Sequence, residues 1–437
     1  MRISVIGCGH LGAVHAVTLA SLGHSVVGID VCEATIASLS SGRPTFLEPG
    51  LREGLRDQLS SGRLTFSTDV SLARGADAHF VCVGTPAKAD GEADLGALFA
   101  AVDALAPLLT ENDVLIGKST VPVGTARLVA ARVRAAVAWN PEFLREGTAI
   151  ADSLRPDRII IGADTAAAQE RVAAVYSGLS AAGVPILRTG LESAELAKAA
   201  SNAFLALRLS YINSLAQLCE ATGADVRELS AAMGSDARIG SSYFNAGLGY
   251  GGGCLPKDLS ALRAQALHAE AMDLFHLLDT TARTNQTALQ RAAELVLGAI
   301  LPGEKIAILG LTFKPNTDDV RQSPALNLVS QLVSHGLSDF ACTDPALVGT
   351  AVSLATGVCQ VSDLHSALEG AAVVVLATEW PEYTAERVTR GSPRVVLDLR
   401  NALDPASVRA QGSQYIGLGQ GPSLSPAPSP TTVPQTT

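Results

Sequence analysis

No run of about 18 uninterrupted apolar residues occurs in the sequence, so no membrane-spanning helix is expected. Cysteine is sparse: seven residues, an odd number, with no CxxC spacing. That excludes a disulfide-stapled scaffold and a cysteine zinc site, and no metal is expected. Aromatic residues make up only 4% and charged residues 17%, against 47% hydrophobic, the composition of a globular, alanine-rich protein. Basic side chains are outnumbered, 32 to 42, for a formal net charge of −10. This balance argues against nucleic acid or an anionic membrane as a general partner, although an acidic chain can hold a local basic pocket for phosphates. The first residues lack the basic start, long apolar core and cleavage site of a secretory signal, and a reducing, cytoplasmic location is expected.

The 437 residues leave room for two or three domains. Six cysteines (Cys8, Cys32, Cys82, Cys219, Cys342, Cys359) sit in apolar strand-like or helix-like surroundings and are expected to be buried. Cys254 differs. It follows Tyr250-Gly251-Gly252-Gly253 and precedes Leu255-Pro256-Lys257-Asp258. Glycines let another segment or a ligand approach the backbone closely, and Pro256 suits the first turn of a helix. A thiol just before a helix N-terminus, with Lys257 nearby, is expected to be accessible and to lean toward thiolate. Taken alone, the stretch also permits a tight turn with an incidental cysteine.

A second signal is stronger. An apolar strand, Arg2-Ile3-Ser4-Val5-Ile6, runs into Gly7-Cys8-Gly9-His10-Leu11-Gly12, then a helix over 13–22, then a strand over 25–29 ending at Asp30. Strand, GxGxxG, helix, strand and acid in that order within about 30 residues form the dinucleotide-binding pattern. Gly7, Gly9 and Gly12 would let a pyrophosphate reach the helix N-terminus. Asp30 is placed for a ribose and would repel the extra phosphate of NADP, so NAD is the expected cofactor.

Further strands are expected over 79–83, 114–118, 137–140 and 158–162, alternating with helices in a mostly parallel, doubly wound sheet. Beyond their C-terminal ends stand Thr85-Pro86, Ser119-Thr120 and Asn140-Pro141-Glu142-Phe143-Leu144-Arg145-Glu146, where such sheets bind ligands. The stretch 191–222 reads as one continuous helix, with Lys198 and Asn202 four apart on one face. Helices follow from 258 to about 301, a spacer that could also pair subunits. At Lys305 a second α/β unit begins without a GxGxxG, and Lys314 and Arg321 flank Asp318 and Asp319 as candidate phosphate contacts or plain ion pairs. From Gly421 the chain is rich in Pro, Ser and Thr, uncharged, and expected to be disordered.

An NAD site with one exposed cysteine suggests a particular chemistry. Oxidising an alcohol yields an aldehyde, to which a thiolate can add; a second oxidation leaves a thioester for water to cleave. Gly7–Gly12, Gly84-Thr85-Pro86, the run 119–125, Asn140-Pro141-Glu142-Phe143-Leu144-Arg145-Glu146-Gly147, Asn202-Ala203-Phe204-Leu205-Ala206, Gly251-Gly252-Gly253-Cys254, and Phe313-Lys314 with Arg321-Gln322-Ser323-Pro324 together resemble the nucleotide-sugar 6-dehydrogenases. This is the UDP-glucose/GDP-mannose dehydrogenase family, and the likeness is greatest to its UDP-glucose-oxidising members, up to about Leu418.

The resemblance implies two Rossmann-like doubly wound α/β domains joined by a long helical central region. In that division residues 1–190 bind NAD, 191–301 are helical with the cysteine loop and the dimer contact, 302–418 bind the sugar nucleotide, and 419–437 form the tail. It further implies four-electron oxidation of UDP-glucose to UDP-glucuronate by a homodimer using two NAD. Cys254 would be the nucleophile, with Lys198, Asn202 and Asp258 around the reacting oxygen and Thr120 beside Asp258 holding a water. Glu142 would be the base for thioester hydrolysis, supported by Glu146. Phe143, Leu144, Arg145, Arg238, Tyr243, Tyr250, Gly251 and Lys314 would hold the sugar nucleotide. Thr85, Pro86, Thr120, Lys257 and Arg321 would join the glycines and Asp30 at NAD. Leu255-Pro256 departs from the Phe that many relatives carry after the cysteine, and Thr35 stands where a basic residue is common. Alternatives are the same chemistry on GDP-mannose or a UDP-N-acetylhexosamine, a two-electron dehydrogenase of the 6-phosphogluconate or hydroxyacyl type, and a non-catalytic NAD-binding protein.

Overall fold

The computed structural model describes residues 1–354 and 358–420; the tail expected to be disordered lies, from Gly421 on, outside the described residues. The short apolar runs of the first half become strands β1 (Arg2–Ile6), β2 (Ser25–Ile29), β3 (Leu64–Ser67), β4 (Ala78–Val81), β5 (Val114–Gly117), β6 (Ala136–Trp139), β7 (Ile159–Ala163) and β8 (Ile186–Thr189). They form one sheet in the order β3-β2-β1-β4-β5-β6-β7-β8. Every neighbouring pair is parallel except β6 and β7, which run antiparallel. Strands β4 and β5 are buried along their whole length, which is why they read as unbroken apolar runs rather than alternating ones. Small aliphatic side chains such as Ile3, Val5, Val14, Val17 and Ile116 fill much of the core beneath them, as the scarcity of aromatics requires.

A second sheet is built from β9 (Lys305–Leu309), β10 (Phe340–Thr343), β11 (Val358–Gln360), β12 (Ala371–Leu376), β13 (Val395–Asp398) and β14 (Gln414–Gly417), all parallel, in the order β11-β10-β9-β12-β13-β14. That order repeats the first six positions of the larger sheet. Between the sheets in sequence lie the helices Leu191–Thr222, 32 residues long, and Met272–Ala299, 28 residues long. The expected fold class is therefore present: two doubly wound α/β sheets and a helical middle.

By contact density the chain divides into two compact units. One comprises Met1–Ala206, Gly251–Asp279 and Thr312–Gln322; the other comprises Leu207–Tyr250, Thr280–Leu311 and Ser323 onward. The larger sheet, the cysteine loop and the segment 312–322 thus belong to one unit.

The cysteines correct one expectation. Cys8, Cys82, Cys219 and Cys342 are buried, but Cys32 and Cys359 are exposed. Cys32 stands at the N-cap position of the helix Glu33–Ser40 just beyond β2, and Cys359 lies on β11, which among the described residues has one neighbouring strand.

Candidate active site

Parallel strands place all their C-terminal ends on one edge, and the sheet order reverses direction between β1 and β4. Gly7 follows β1 with φ +88°. A Cβ on Gly12 would stand 1.7 Å from the Gly7 carbonyl oxygen, so only glycine lets the turn close, whereas a Cβ on Gly9 would meet nothing within 4 Å. Helix His10–Ser21 starts there with no side-chain cap and no acidic residue in its first turn. Its free N–H groups and the open face of Gly9 fit a pyrophosphate. At the end of β2, Asp30 accepts the backbone N–H groups of Cys8 (2.7 Å) and Cys32 (2.9 Å), which orients its carboxylate beside the turn. Buried Thr85 donates its hydroxyl to the Thr120 carbonyl at 2.7 Å, tying the loops after β4 and β5 together, while Pro86 is exposed. The residues present fit NAD.

The cysteine loop builds the second half of the site. Cys254 is the N-cap of helix Leu255–His268, with Pro256 in its first turn. Lys198 is buried on the long helix, and its Nζ lies 3.0 Å from Glu142 Oε1. The other oxygen of Glu142 accepts the Leu144 N–H at 2.6 Å. Asp258 is 1% exposed, and both its oxygens are engaged, one by Asn202 Nδ2 and one by Lys257 Nζ, each at 2.6 Å. Phe143 underlies the cations: Arg158 stacks 4.0 Å above its ring and Lys198 lies 5.4 Å from it.

Charge in this cluster corrects the expectation of a thiolate-leaning cysteine. Cys254 is exposed as a residue, yet its thiol is pushed up to about 11. Crowding by protein is the largest cause; Glu142, Asp258 and Glu146 push the same way, and Lys198 is the leading group that opposes them, with Lys314 and Arg321 acting in the same sense. Lys257 is spent on Asp258 instead. Burial lowers the Lys198 ammonium, but Glu142, Cys254 and Asp258 overcome this and its pKa is raised.

The segment 312–322 closes the site from within the same unit. Gly252 donates its N–H to the Arg321 carbonyl at 3.0 Å. Cβ atoms added at Gly252 and Gly253 would meet the Phe313 ring at 2.7 Å and the Arg321 guanidinium at 2.6 Å. Two of the three glycines are thus needed because this segment lies directly on them. Arg321 forks onto Asp319 and reaches Glu146 at 3.3 Å. Lys314 is half-buried; burial lowers its pKa against the opposing charges of Glu146, Glu48 and Cys254.

Arg145 is exposed and forks onto Asp152, and its backbone N–H is taken by the same carboxylate. Gly251 is buried in the loop. Arg238, Tyr243 and Tyr250 belong to the other unit. There Arg238 is exposed and grips Asp236, Tyr243 has a left-handed φ of +57°, and buried Tyr250 exchanges backbone hydrogen bonds with the Asn285 amide.

Several residues escaped the sequence reading. His10, inside the glycine loop, stacks on Phe46 at 3.9 Å; burial and then Arg321 lower its pKa. Glu48 is 6% exposed and accepts the N–H groups of Gly147 and Ala149, fixing the turn that carries Glu146. Buried Lys118 donates to Asn140 Oδ1 at 2.9 Å and so holds the start of the Glu142 turn. A lone acid in a loop and a lysine at a strand end carry no periodic signal. Of the three, His10, within the glycine turn, and Lys118, directly before Ser119-Thr120, stood where strand-end function was being sought.

Comparison with known proteins accounts for this arrangement. Residues 1–180 match the NAD binding domain of the UDP-glucose/GDP-mannose dehydrogenase family, 192–287 its central domain, and 307–405 its UDP binding domain. A UDP-glucose 6-dehydrogenase of Rhizobium meliloti (strain 1021) is 40% identical, covering 96% of this chain and 100% of the relative. Another, TuaD of Bacillus subtilis (strain 168), is 36% identical over 96% of this chain and 93% of its own. Among solved structures, a UDP-glucose dehydrogenase from Pyrobaculum islandicum superimposes with a TM-score of 0.86 at 38% identity, covering 96% of this chain and 98% of that one. A UDP-D-ManNAc dehydrogenase from Pyrococcus horikoshii does so with 0.83 at 29% identity, covering 96% and 100%. With all three domain models matched in order, and relatives spanning nearly its whole length, the chain belongs to the UDP-glucose/GDP-mannose dehydrogenase family of NAD-dependent oxidoreductases.

Proposed function

We propose that this protein oxidises UDP-glucose to UDP-glucuronate in two stages through a thiohemiacetal and then a thioester on Cys254. The observation that carries this reading is the cluster itself: a thiol at a helix start, a buried ammonium beside it, and three carboxylates within electrostatic reach. The substrate follows from the relatives of highest identity named above, which are UDP-glucose 6-dehydrogenases. When bound, NAD accepts a hydride in each oxidation stage. Gly7, Gly9, Gly12 and Asp30 would hold it, with Thr85, Pro86, Thr120, Lys257 and Arg321 around it.

The chain's own residues do the rest. As the sugar's primary hydroxyl loses its proton, Asp258 and Thr120 would pass that proton to a water, and Lys198 would stabilise the alkoxide. At the aldehyde stage the Cys254 sulfur bonds to the carbonyl carbon, and the oxygen that becomes negative would again meet Lys198 and Asn202. A thiol raised this far is largely protonated at neutral pH, so addition must be coupled to loss of its proton to a neighbouring carboxylate or water. In the last stage Glu142, assisted by Glu146, would take a proton from water; a carbon–oxygen bond forms, the carbon–sulfur bond breaks, and the thiol is restored.

In this reading residues 1–190 bind NAD, 191–301 present the cysteine loop, and 302–418 take the nucleotide. The last assignment draws support from the UDP binding domain match. Phe143, Leu144, Arg145, Gly251 and Lys314 would contact the sugar nucleotide. Leu196, Phe204, Tyr211 and Leu218 are exposed along one helix at spacings of seven and eight, within about a quarter of its circumference. That apolar stripe supports a homodimer. Among the described residues no helix is long and apolar enough to cross a membrane, and we place the activity in the cytoplasm.

The deciding experiment is the yield of NADH per UDP-glucose. Two per substrate supports the mechanism, and one overturns it. GDP-mannose and UDP-N-acetylhexosamines run in parallel identify a different sugar nucleotide if one of them is preferred. Cys254→Ala should abolish the two-NADH yield, whereas a two-electron enzyme would keep most of its turnover.

A further inference from the structure

We propose that Asp319 is a positioning residue for this chemistry: it shares one proton with Glu146 and locks Arg321, and through both it sets where the Cys254 loop stands. The inference rests on the cysteine mechanism proposed above.

Asp319 is 7% exposed in the segment after β9. Its two oxygens accept Arg321 Nε at 2.9 and 3.0 Å and Nη2 at 2.7 Å, and one also accepts the Arg321 backbone N–H at 2.9 Å. Phe313 donates its N–H to the Asp319 carbonyl at 3.1 Å. Arg321 is therefore held from its own strand of the loop before it meets any ligand. Held this way, it offers its carbonyl to Gly252 and lays its guanidinium on Gly253, next to the nucleophile. A planar fork fixed at both edges orients what lies under its face.

The remaining partner is Glu146. Its side chain is only 19% exposed; Oε1 receives Arg321 at 3.3 Å, and buried Oε2 meets no donor among the described residues. A carboxylate oxygen without a donor, close to a second carboxylate, is relieved when a single proton lies between the two. The charges around Glu146 agree. Burial is the largest influence raising its pKa, the Asp319 charge and hydrogen bond add to it, and Arg321 and Lys314 oppose it. Glu146 is brought to about 7, while the same contact and Arg321 hold Asp319 below its usual range despite burial. The proton is thus held chiefly by Glu146, and it leaves the pair near neutrality. Ionised Glu146 in turn raises the Cys254 thiol. The Asp319 carboxylate thereby governs the charge that the nucleophile experiences without touching it.

The test uses the unliganded full chain, so it does not depend on the substrate being right. Infrared titration should show a protonated carboxyl band that disappears with a midpoint near pH 7. The band should be absent in Glu146→Gln, and in Asp319→Asn its midpoint should fall by about one pH unit or more, because the amide removes the neighbouring charge. Alkylation of Cys254 by iodoacetamide near neutral pH, followed by mass spectrometry, should move in opposite directions in the two variants: faster than wild type in Glu146→Gln, which removes the carboxylate that raises the thiol, and slower in Asp319→Asn, where Glu146 ionises at lower pH. With substrate, D319N should lose about tenfold in kcat while KM stays within about threefold. Absence of a titrating carboxyl band in the wild type, or the same midpoint in D319N, overturns the proposal. If D319N does not fold, E146Q decides alone: a retained band refutes the pairing, and loss of the band with altered Cys254 alkylation supports it. Should UDP-glucose yield no NADH while the infrared shift appears, the functional reading fails and the carboxyl pair stands.

Discussion

Replacing Lys198 by Met would test the electrostatic core of the site. Its ammonium lies 3.0 Å from Glu142, and the side chains are only 5% and 13% exposed. At an effective dielectric constant of about 20, that separation corresponds to an attraction of about 5 kcal/mol before desolvation. Removing one partner strands the other as a buried charge, which costs about 3–5 kcal/mol. Lys198→Met and Glu142→Gln should therefore each destabilise the protein by about 3 kcal/mol in urea unfolding. The double variant should cost less than their sum by about 2 kcal/mol, since no charge is left unpaired. The same ammonium is the leading charge that holds the Cys254 thiol down against the carboxylates, so K198M should also shift cysteine alkylation to higher pH. Loss of its oxyanion stabilisation should cost about 10²–10³ in turnover. Stability effects that add within about 0.5 kcal/mol, together with turnover within about tenfold of the wild type, would refute the reasoning.

Gly12→Ala should abolish NAD binding in calorimetry, because its Cβ would fall 1.7 Å from the Gly7 carbonyl oxygen in the turn that receives the pyrophosphate. Lys118 is buried and its ammonium is pulled down to about 8 by that burial, so the folded state releases its proton before the unfolded chain does, whose ordinary value is 10.5. The Lys118 contribution to stability, read as the difference between wild type and Lys118→Met, should therefore rise with pH between about 8 and 10.5, against the opposite slope from the raised thiols of Cys8, Cys82, Cys254 and Cys342. Lys118→Met should keep the fold, since Tyr176 still donates to Asn140 Oδ1 at 2.6 Å. Tyr211→Glu on the exposed apolar stripe should yield monomers in analytical ultracentrifugation; an unchanged dimer would place the subunit contact elsewhere.

Much of the fold was legible because its signals are local. The helix expected over 191–222 is the helix Leu191–Thr222, the strands expected in the first half lie within a residue or two of those observed, and the second α/β unit begins at Lys305 as expected, since buried parallel strands must be short apolar runs. Edge strands such as β3, β11 and β14 were missed because half-exposed residues give no such run. The candidate site was legible as residue types. Cys254, Lys198, Asn202, Asp258 and Glu142 were named before their proximity was visible.

What the sequence determined by itself was the chemistry on offer: a glycine turn that no other residue can close, an acid at the end of β2, and a thiol placed before a helix. The tertiary structure decided how those groups are charged. Local reasoning put Lys257 beside the thiol and expected a thiolate. In the folded chain Lys257 is bound to Asp258, and the thiol is raised by crowding and by Glu142, Asp258 and Glu146, two of them more than a hundred residues away in sequence. The Asp319 clamp likewise depends on a segment that returns from beyond β9 to lie on Gly252 and Gly253. Spacing can reveal a helix face or a turn, but burial and Coulomb interactions depend on distances through space, and only the folded chain sets those.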